Sequence, residues 1–497
     1  MNTIDWRDQW WPVQLEENLD ADKPNAVVCL GEAIVLWKDG AAWRAFADRC
    51  PHRAVPLSEG RINEAGRIEC PYHGWDFDGA GKCHHVPQAP ERTHASAAGS
   101  PRACAVRFPV AVRQGLVFVH MKPLPPNTPP GESEPDPADI PLLDDVDTDA
   151  GWVMDTVVRD MPMSAATVFE NVLDVSHVPH THHGTVGRRE RSTPVELEVT
   201  ARRRDGFDGV WAQGPRNGIY GPQTTVFRGP QLMVHSLDCV DTKGFATKTV
   251  VYATPTTPGR CRLIARFPFY FKPAVPRTVF RLTPKWWSHR GANRVLEDDQ
   301  IFLHKQERTV LAERLEAASL SKIYYMPTTA DAFVTAFRDW LDNVAGGGPF
   351  GPPSKDLLAA MPPAQSRTEL LDRYGSHTAH CKACSGAKRN MEVAIKACRV
   401  ASLACLAAAA ALAAIASVGG AAIDGVSGSD GLAARALAAA AGLLAPAGTT
   451  PVEAMGRAVG AGGAAVALEL LRAAVRKLWM SMVNGEPDYP PPRNRVK

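Results

Sequence analysis

Apolar positions alternate over short distances through the first part of the chain. Between residues 26 and 120 the runs AVVCLGEAIVLWKDG, AWRAFADRC and GLVFVHMKP are rich in β-formers and are separated by Gly, Asp and Pro turns. This pattern predicts a small all-β domain over residues 1–121. Residues 122–145, KPLPPNTPPGESEPDPADIPLLDD, are too rich in proline and acid to form a core and predict a linker.

The period then lengthens. MSAATVFENVLDVSHVPHTHHG reads as helical, and the pattern predicts strands from there as far as about Tyr270. ANRVLEDDQIFLHKQERTVLAERLEA predicts a further helix with Val295, Ile301, Leu303, Val310 and Leu311 available for an apolar face. Strands framed by helices imply an α+β domain with an antiparallel sheet over residues 146–375. Residues 376–395 carry the pair CKAC. From Val400 to Ile423 no residue is charged, a length that can span a bilayer. A second apolar stretch lies within Ala436 to Leu471, interrupted by Pro446, Glu453, Arg457 and Glu469.

Residues 396–480 therefore predict a membrane-anchoring helical hairpin, followed by a polar tail over 481–497. Lys388, Arg389, Lys396 and Arg399 precede the hairpin and Arg472, Arg476 and Lys477 close it, which places both ends on one side by the positive-inside rule. An Ala/Gly-rich hairpin packed in water is the competing reading of the same pattern.

Composition narrows the classes. A chain of 497 residues predicts two or three domains. A formal charge of +2, with no block of like charge, argues against nucleic acid as a partner. Eleven cysteines at irregular spacings fit a reducing compartment better than a disulfide framework. The opening MNTIDWRDQWWPVQLEENLD has neither the apolar core of a signal peptide nor the Arg/Ser-rich character of a transit peptide.

Two constellations carry chemistry. The first is C-x-H-x17-C-x2-H, formed by Cys50, His52, Cys70 and His73, with Pro after each cysteine and Gly74-Trp75 after the second histidine. Zinc and a [2Fe–2S] cluster both accept that donor set. The second places Asn171, Asp174, His177 and His182 in an N-x2-D-x2-H-x4-H array. Residues three apart share a helix face, so Asn171, Asp174 and His177 are expected to point into one cavity, with His182 returning after Pro179. Two histidines and a distant carboxylate make the facial triad of non-haem Fe(II) oxygenases. His180 and His183 compete with His182, and Glu297, Asp298 and Asp299 compete for the carboxylate, only one of the three being expected to face inward.

These residues resemble a known family. CPHR…CPYHGW resembles a Rieske [2Fe–2S] site and NVLDVSH…H resembles the mononuclear iron site of Rieske non-haem oxygenases; together, in this order, they favour iron over zinc. WRDQWWPV, ENVLDVSHVPHTHHGTVGRR, EDDQIFLHKQE and DRYGSHTAHCKACSG are similar to the pheophorbide a oxygenase-like branch of plants and algae, over essentially the whole chain. That branch includes a protochlorophyllide-type oxygenase and a Rieske protein of the chloroplast envelope, so a redox-sensing, import-associated protein is the alternative to an enzyme.

The resemblance implies a helix-grip catalytic domain behind the Rieske domain. It implies that Cys50 and Cys70 hold one cluster iron, that His52 and His73 hold the other, and that His177, His182 and Asp299 bind mononuclear iron. Asp174 would relay electrons from a cluster histidine to His177, across subunits of a homotrimer, and Asn171 would line the iron pocket. Ferredoxin is the implied donor, a chlorophyll-derived macrocycle the implied substrate and a chloroplast membrane, envelope or thylakoid, the implied location. Cys381 and Cys384 would form a regulatory disulfide reduced by thioredoxin. The chain departs from the pattern at His180, where an apolar or aromatic residue is expected, and at Asp298, where the branch often has Gln.

Overall fold

The strand Glu32–Asp39 shows how the N-terminal part is assembled. Its centre, Ile34 to Trp37, is buried on both faces. Side chains alternate along a strand, so Ile34 and Leu36 enter one core with Trp11, Val117 and Val119, while Val35 and Trp37 enter another with Phe46, Leu57 and Phe77. The strand belongs to a four-stranded antiparallel sheet, Asn25–Cys29, Glu32–Asp39, Ala42–Ala47 and Arg107–Phe108. On one side lies a three-stranded sheet of Trp10–Leu15, Leu116–His120 and Val110–Arg113. On the other lies a small sheet of Arg61–Ile62, Ile68–Glu69, Asp76–Phe77 and Cys83–His85, between whose strands the second Cys/His loop emerges.

The computed structural model describes all residues except 1–2, 41, 127, 129–130, 144, 147–150, 318, 419–443, 447 and 495–497, together with the side chain of Val418. It divides into two compact units, Met1–Lys382 with Asp488–Lys497, and Ala383–Pro487.

Within the first unit a seven-stranded antiparallel sheet follows the N-terminal sheets: β1 Trp152–Met161, β2 Leu197–Arg203, β3 Gly206–Trp211, β4 Gln223–Arg228, β5 Leu232–Cys239, β6 Phe245–Thr257 and β7 Arg260–Phe271. Their order is β1-β7-β6-β5-β4-β3-β2. One face packs Val158, Val234, Val250, Tyr252 and Ile264 against Trp10 and Phe118 of the three-stranded sheet. The other packs Met161, Phe227, Val251 and Leu263 against α1 (Ala165–Leu173) and against Phe333, Phe337 and Trp340. The predicted α+β architecture with an antiparallel sheet is therefore present. The Pro-rich segment is not a bare tether, because Ile140 and Leu143 are buried in the same core and Tyr252 donates to Pro141 O at 2.8 Å.

Downstream lie α2 (Ala274–Leu282), α3 (Lys285–Arg314) and α4 (Ala332–Asn343). The apolar face expected of α3 is not the face it buries. Of Val295, Ile301, Leu303, Val310 and Leu311, only Leu303 is buried. Its buried positions are instead His289, Asn293, Glu297, Asp298, Asp299, Gln300 and His304. A polar buried face survives only where each group finds a partner, and those partners build the sites below.

The second unit is an antiparallel pair, α5 (Lys382–Val418) and α6 (Pro451–Val483). Thr450 and Glu453 cap α6 reciprocally with Pro451 at its first position, so Pro446 stands outside the helix. Ser402 Oγ donates to Ala465 O at 3.3 Å, Arg399 pairs with Glu469 at 3.2 Å, and Trp479 Nε1 donates to Glu392 at 3.1 Å. Both helices are long and apolar enough to cross a membrane. The expected run to Ile423 and the expected start at Ala436 fall outside the described residues.

Candidate metal centres

Two loops of the N-terminal sheets are built alike. Cys50 N donates to Val55 O at 2.8 Å and Ala54 N to Cys50 O at 2.9 Å; Cys70 N donates to Trp75 O at 2.8 Å and Gly74 N to Cys70 O at 3.1 Å. The fifth residue of each turn is left-handed, Ala54 at φ +58° and Gly74 at φ +71°. Glycine adopts that conformation without steric cost, whereas Ala54 takes on a strain of roughly 1–2 kcal/mol. This shared hydrogen-bond frame buries Cys50 and Cys70 while leaving His52 and His73 half-buried at the rim.

The two imidazoles lie 4.7 Å apart between ring centres, and His52 stacks on Trp75 at 4.6 Å. Burial, with the neighbouring Cys70 adding to it, pushes the Cys50 thiol up to about 12. Burial, and then the nearby His73, lowers the pKa of His52. His52 Nδ1 is buried with no hydrogen-bond partner. A thiol that resists ionisation beside an orphaned imidazole nitrogen fits a metal centre, whose charge takes the place of the thiol proton. Two sulfurs inside and two nitrogens at the rim are the donor set of a Rieske cluster.

The second site begins where α1 stops. Ser164 caps the helix by accepting from Thr167 N at 3.3 Å, and the helix ends at Leu173. Asp174 turns out of it at φ −83°, ψ 93°, and its Oδ1 accepts from Ser176 N at 2.8 Å and Ser176 Oγ at 2.6 Å. Asn171, Asp174 and His177 therefore do not share one helix face as the spacing suggested, because an Asp-capped turn separates His177 from α1. Asn171 stays in the last turn of α1, half-buried.

The turn nevertheless delivers His177 to His182, their Nε2 atoms 3.3 Å apart. Asp299 of α3 completes the group, 3.3 Å from His182 Nε2 and 3.9 Å from His177 Nε2. Burial raises the Asp299 pKa against the pull of His182 and His177, and its Oδ1 is buried without a hydrogen-bond partner. Converging imidazole and carboxylate donors with an unsatisfied oxygen fit a divalent ion held on one side, as in a facial triad.

Each triad histidine is fixed through its other nitrogen. His177 Nδ1 is hydrogen-bonded to the Asp174 carbonyl, and His182 Nδ1 lies 3.4 Å from Asp298 Oδ2. Thr185 Oγ1 donates to the same Asp298 oxygen at 2.9 Å, and Arg493 reaches Asp298 Oδ1 at 3.6 Å and Thr181 O at 3.1 Å. Such outer contacts set the tautomer and orientation of metal-binding imidazoles. His180 is exposed, and His183 Nδ1 accepts from Arg189 N at 3.2 Å, so neither joins the group.

All three acids of the EDD run are buried, contrary to the expectation that only one could face inward. Each has its own set of partners. Glu297 accepts from Arg373 at 2.7 and 2.6 Å and from Arg159 at 3.1 Å, Asp298 holds His182, and Asp299 faces the histidines. Sequence reasoning missed Arg493, Thr185 and also His235. His235 lies beneath α1, with Nε2 against Val172 O and Nδ1 against Thr225 Oγ1, both at 2.8 Å, and burial lowers its pKa to about 4. No spacing announces these three. Cys381 and Cys384 are both buried.

Residues 9–105 match the Rieske [2Fe-2S] domain family and residues 227–316 match the Pheophorbide a oxygenase family. The chain is 36% identical over 404 residues to the rice (Oryza sativa subsp. japonica) protein "Pheophorbide a oxygenase, chloroplastic", covering 77% of this chain and 73% of that one. It is 33% identical over 410 residues to "Flavonoid 8-hydroxylase 2, chloroplastic" of Ocimum basilicum, covering 78% and 75%. Among solved structures, Pseudomonas putida CBB5 NdmA, a QL mutant with theobromine, superposes with a TM-score of 0.51 at 21% identity, over 72% of this chain and 97% of that one. That likeness is one of fold.

Proposed function

Because the chain belongs to the pheophorbide a oxygenase family of Rieske non-haem iron oxygenases, we propose that it oxygenates a chlorophyll-derived macrocycle, pheophorbide a first, with O₂ and electrons from a ferredoxin. The observation that carries this reading is the presence in one chain of a two-cysteine, two-histidine pair of loops and a separate two-histidine, one-carboxylate group with its outer contacts in place. Cys50 and Cys70 would hold one iron of a [2Fe–2S] cluster and His52 and His73 the other; His177, His182 and Asp299 would hold the mononuclear iron. Bound there, the two centres supply single-electron transfer and O₂ activation.

The chain's own residues set the conditions. Asp174 O and Asp298 take the Nδ1 atoms of the triad imidazoles, leaving both Nε2 atoms turned towards Asp299, where they would be free to hold an ion. Asn171 would line the pocket. Asp174 would meet a cluster histidine of a neighbouring copy in a homotrimer. In support, the His52–His73 edge lies at the surface of the unit beside Tyr72, which is 57% exposed.

A chloroplast membrane location draws support from the chloroplastic relatives and from exposed Val400, Leu403 and Leu406 on α5 and Val459, Val466 and Leu470 on α6. α2 adds to it. Val275, Val279 and Leu282 are exposed on a helix with no buried residue, interspersed with the basic Arg277 and Arg281 and followed by Trp286 and Trp287, a composition suited to a lipid interface. A thioredoxin-reduced disulfide at Cys381 and Cys384 would require that buried segment to open.

The test is a single turnover of the reduced, full-length protein with ¹⁸O₂ and pheophorbide a, read by mass spectrometry, with protochlorophyllide and a flavone in parallel. Oxygen-18 in a pheophorbide product is expected. Product from the flavone alone would overturn the substrate class while keeping the oxygenase. A cluster that reoxidises with no product from any of the three would favour a redox-sensing, import-associated protein.

A further inference from the structure

We propose that α2 lies in the plane of an anionic lipid bilayer and docks the first unit on it through Val275, Val279, Leu282, Trp286 and Trp287. The proposal deepens the membrane location given above, from which it takes only that a lipid surface is at hand. Val275, Val279 and Leu282 recur at i, i+4 and i+7 and therefore form one stripe along the helix. Val275 is 73% exposed and Leu282 76%, and no residue of α2 is buried. Trp286 and Trp287 carry the stripe past Pro284 into the first turn of α3, their ring centres 5.6 Å apart, and line one groove with Val279 and Leu282.

The other side of α2 is the one that packs. Phe280 lies 5.7 Å from Phe269 of β7, which in turn stacks on Phe271. The helix is thus held on the sheet by one ring while its aliphatic stripe is left open to solvent. Such a stripe costs hydration free energy until an apolar surface covers it.

Charge identifies that surface. From Thr242 to Leu296 the chain carries eleven Lys and Arg and no Asp or Glu, although its total formal charge is only +2. The cations are spaced through the segment, so they form no run of like charge. Three of them are taken: Lys248 pairs with Asp145 at 2.6 Å, Arg262 with Asp160 at 2.7 Å and Lys285 with Glu17 at 2.7 Å. Lys272, Arg277, Arg281 and Arg290 have no carboxylate partner among the described residues. Lys272 and Arg281 are exposed towards the two ends of α2, and the Arg290 guanidinium lies 5.4 Å from the Trp287 ring centre. In an interfacial helix the aliphatic side chains enter the acyl boundary, the indoles sit at headgroup level and the cations meet anionic headgroups. A second copy of the chain on the same face would set these cations against themselves, at a cost in affinity.

Hydrogen exchange of the full-length protein, reconstituted in phosphatidylcholine vesicles with and without about one-third phosphatidylglycerol, reads the contact, with flotation recorded for each sample. The amides of α2 and of the first turn of α3 are expected to exchange about tenfold or more slowly when phosphatidylglycerol is present. The Val279→Asp, Leu282→Asp double variant is expected to lose this protection. Lys272→Gln and Arg281→Gln are each expected to lower it about fivefold, with the Rieske electron paramagnetic resonance signal unchanged in every variant. Protein that floats with these amides unprotected would overturn the proposal and leave the membrane location standing, whereas protein that neither floats nor gains protection would overturn both. Equal protection in the two vesicle types would remove the anionic lipid from the account, and protection that appears without lipid as protein concentration rises would give the stripe to a second copy. Either result would overturn the proposal, and the comparison of vesicle types is made on the wild type, so it does not depend on a variant folding.

Discussion

The two iron-type centres are assembled by opposite means. The first comes from two short loops with one hydrogen-bond pattern, so Cys50 to Val55 and Cys70 to Trp75 each fold largely on local information. The second draws His177 and His182 from one turn, Asp299 from α3 and an outer contact from Arg493 near the C-terminus. A locally framed site tolerates change elsewhere in the chain, while a site gathered from distant segments depends on the whole domain being folded. The difference also sets what each site needs from its surroundings: the cluster loops need backbone geometry, and the triad needs buried charges kept in balance.

Substitutions can separate the two. Asp299→Ala removes the proposed carboxylate ligand and is expected to abolish product formation while the visible and paramagnetic signatures of the cluster persist; residual activity, with Asp298→Ala inactive instead, would move the carboxylate to Asp298. His73→Cys is expected to shift the cluster spectrum and to lower its potential towards roughly −400 mV, the range of thiolate-ligated ferredoxins, while the mononuclear iron stays bound. An unchanged spectrum would remove His73 from the ligand set. Asp298→Ala leaves the triad intact but frees His182 Nδ1, and iron affinity measured by competition with a chelator is expected to fall about 10–100-fold. The smallest effect is expected at Ala54. Replacing it with Gly relieves the left-handed strain and, after the greater unfolded-state entropy of glycine, should stabilise by about 0.5–1 kcal/mol in denaturant melts with no spectral change.

The same contrast explains what was legible in the sequence. The proposed cluster ligands stand out because Cys and His recur at short spacing in Pro- and Gly-rich turns, and the paired histidines stand out similarly. The triad carboxylate could be narrowed only to a run of three acids. Spacing on a helix says which residues share a face, but not that Arg159 and Arg373 take Glu297 while Thr185 and Arg493 take Asp298. The helix-face argument for Asn171, Asp174 and His177 failed for a local reason, since Asp174 accepts from Ser176 and ends the helix early. The apolar stripe sought on α3 failed for a tertiary one. Its buried side is occupied by paired polar groups, whose partners lie on β1, near residue 182 and in the C-terminal segment. His289 lies in no motif and His377 lies in DRYGSHTAHCKACSG without a spacing that announces its neighbours; the fold brings His289 to both Cys381 and His377.

The most direct test of two separate iron centres in one chain is Mössbauer spectroscopy of the reduced, ⁵⁷Fe-loaded full-length protein, compared with Asp299→Ala. The account predicts a reduced Rieske cluster together with a distinct high-spin Fe(II) component in the wild type, and the loss of that component alone in the variant. A wild type showing only cluster iron, or a variant in which both components fall together, would contradict it.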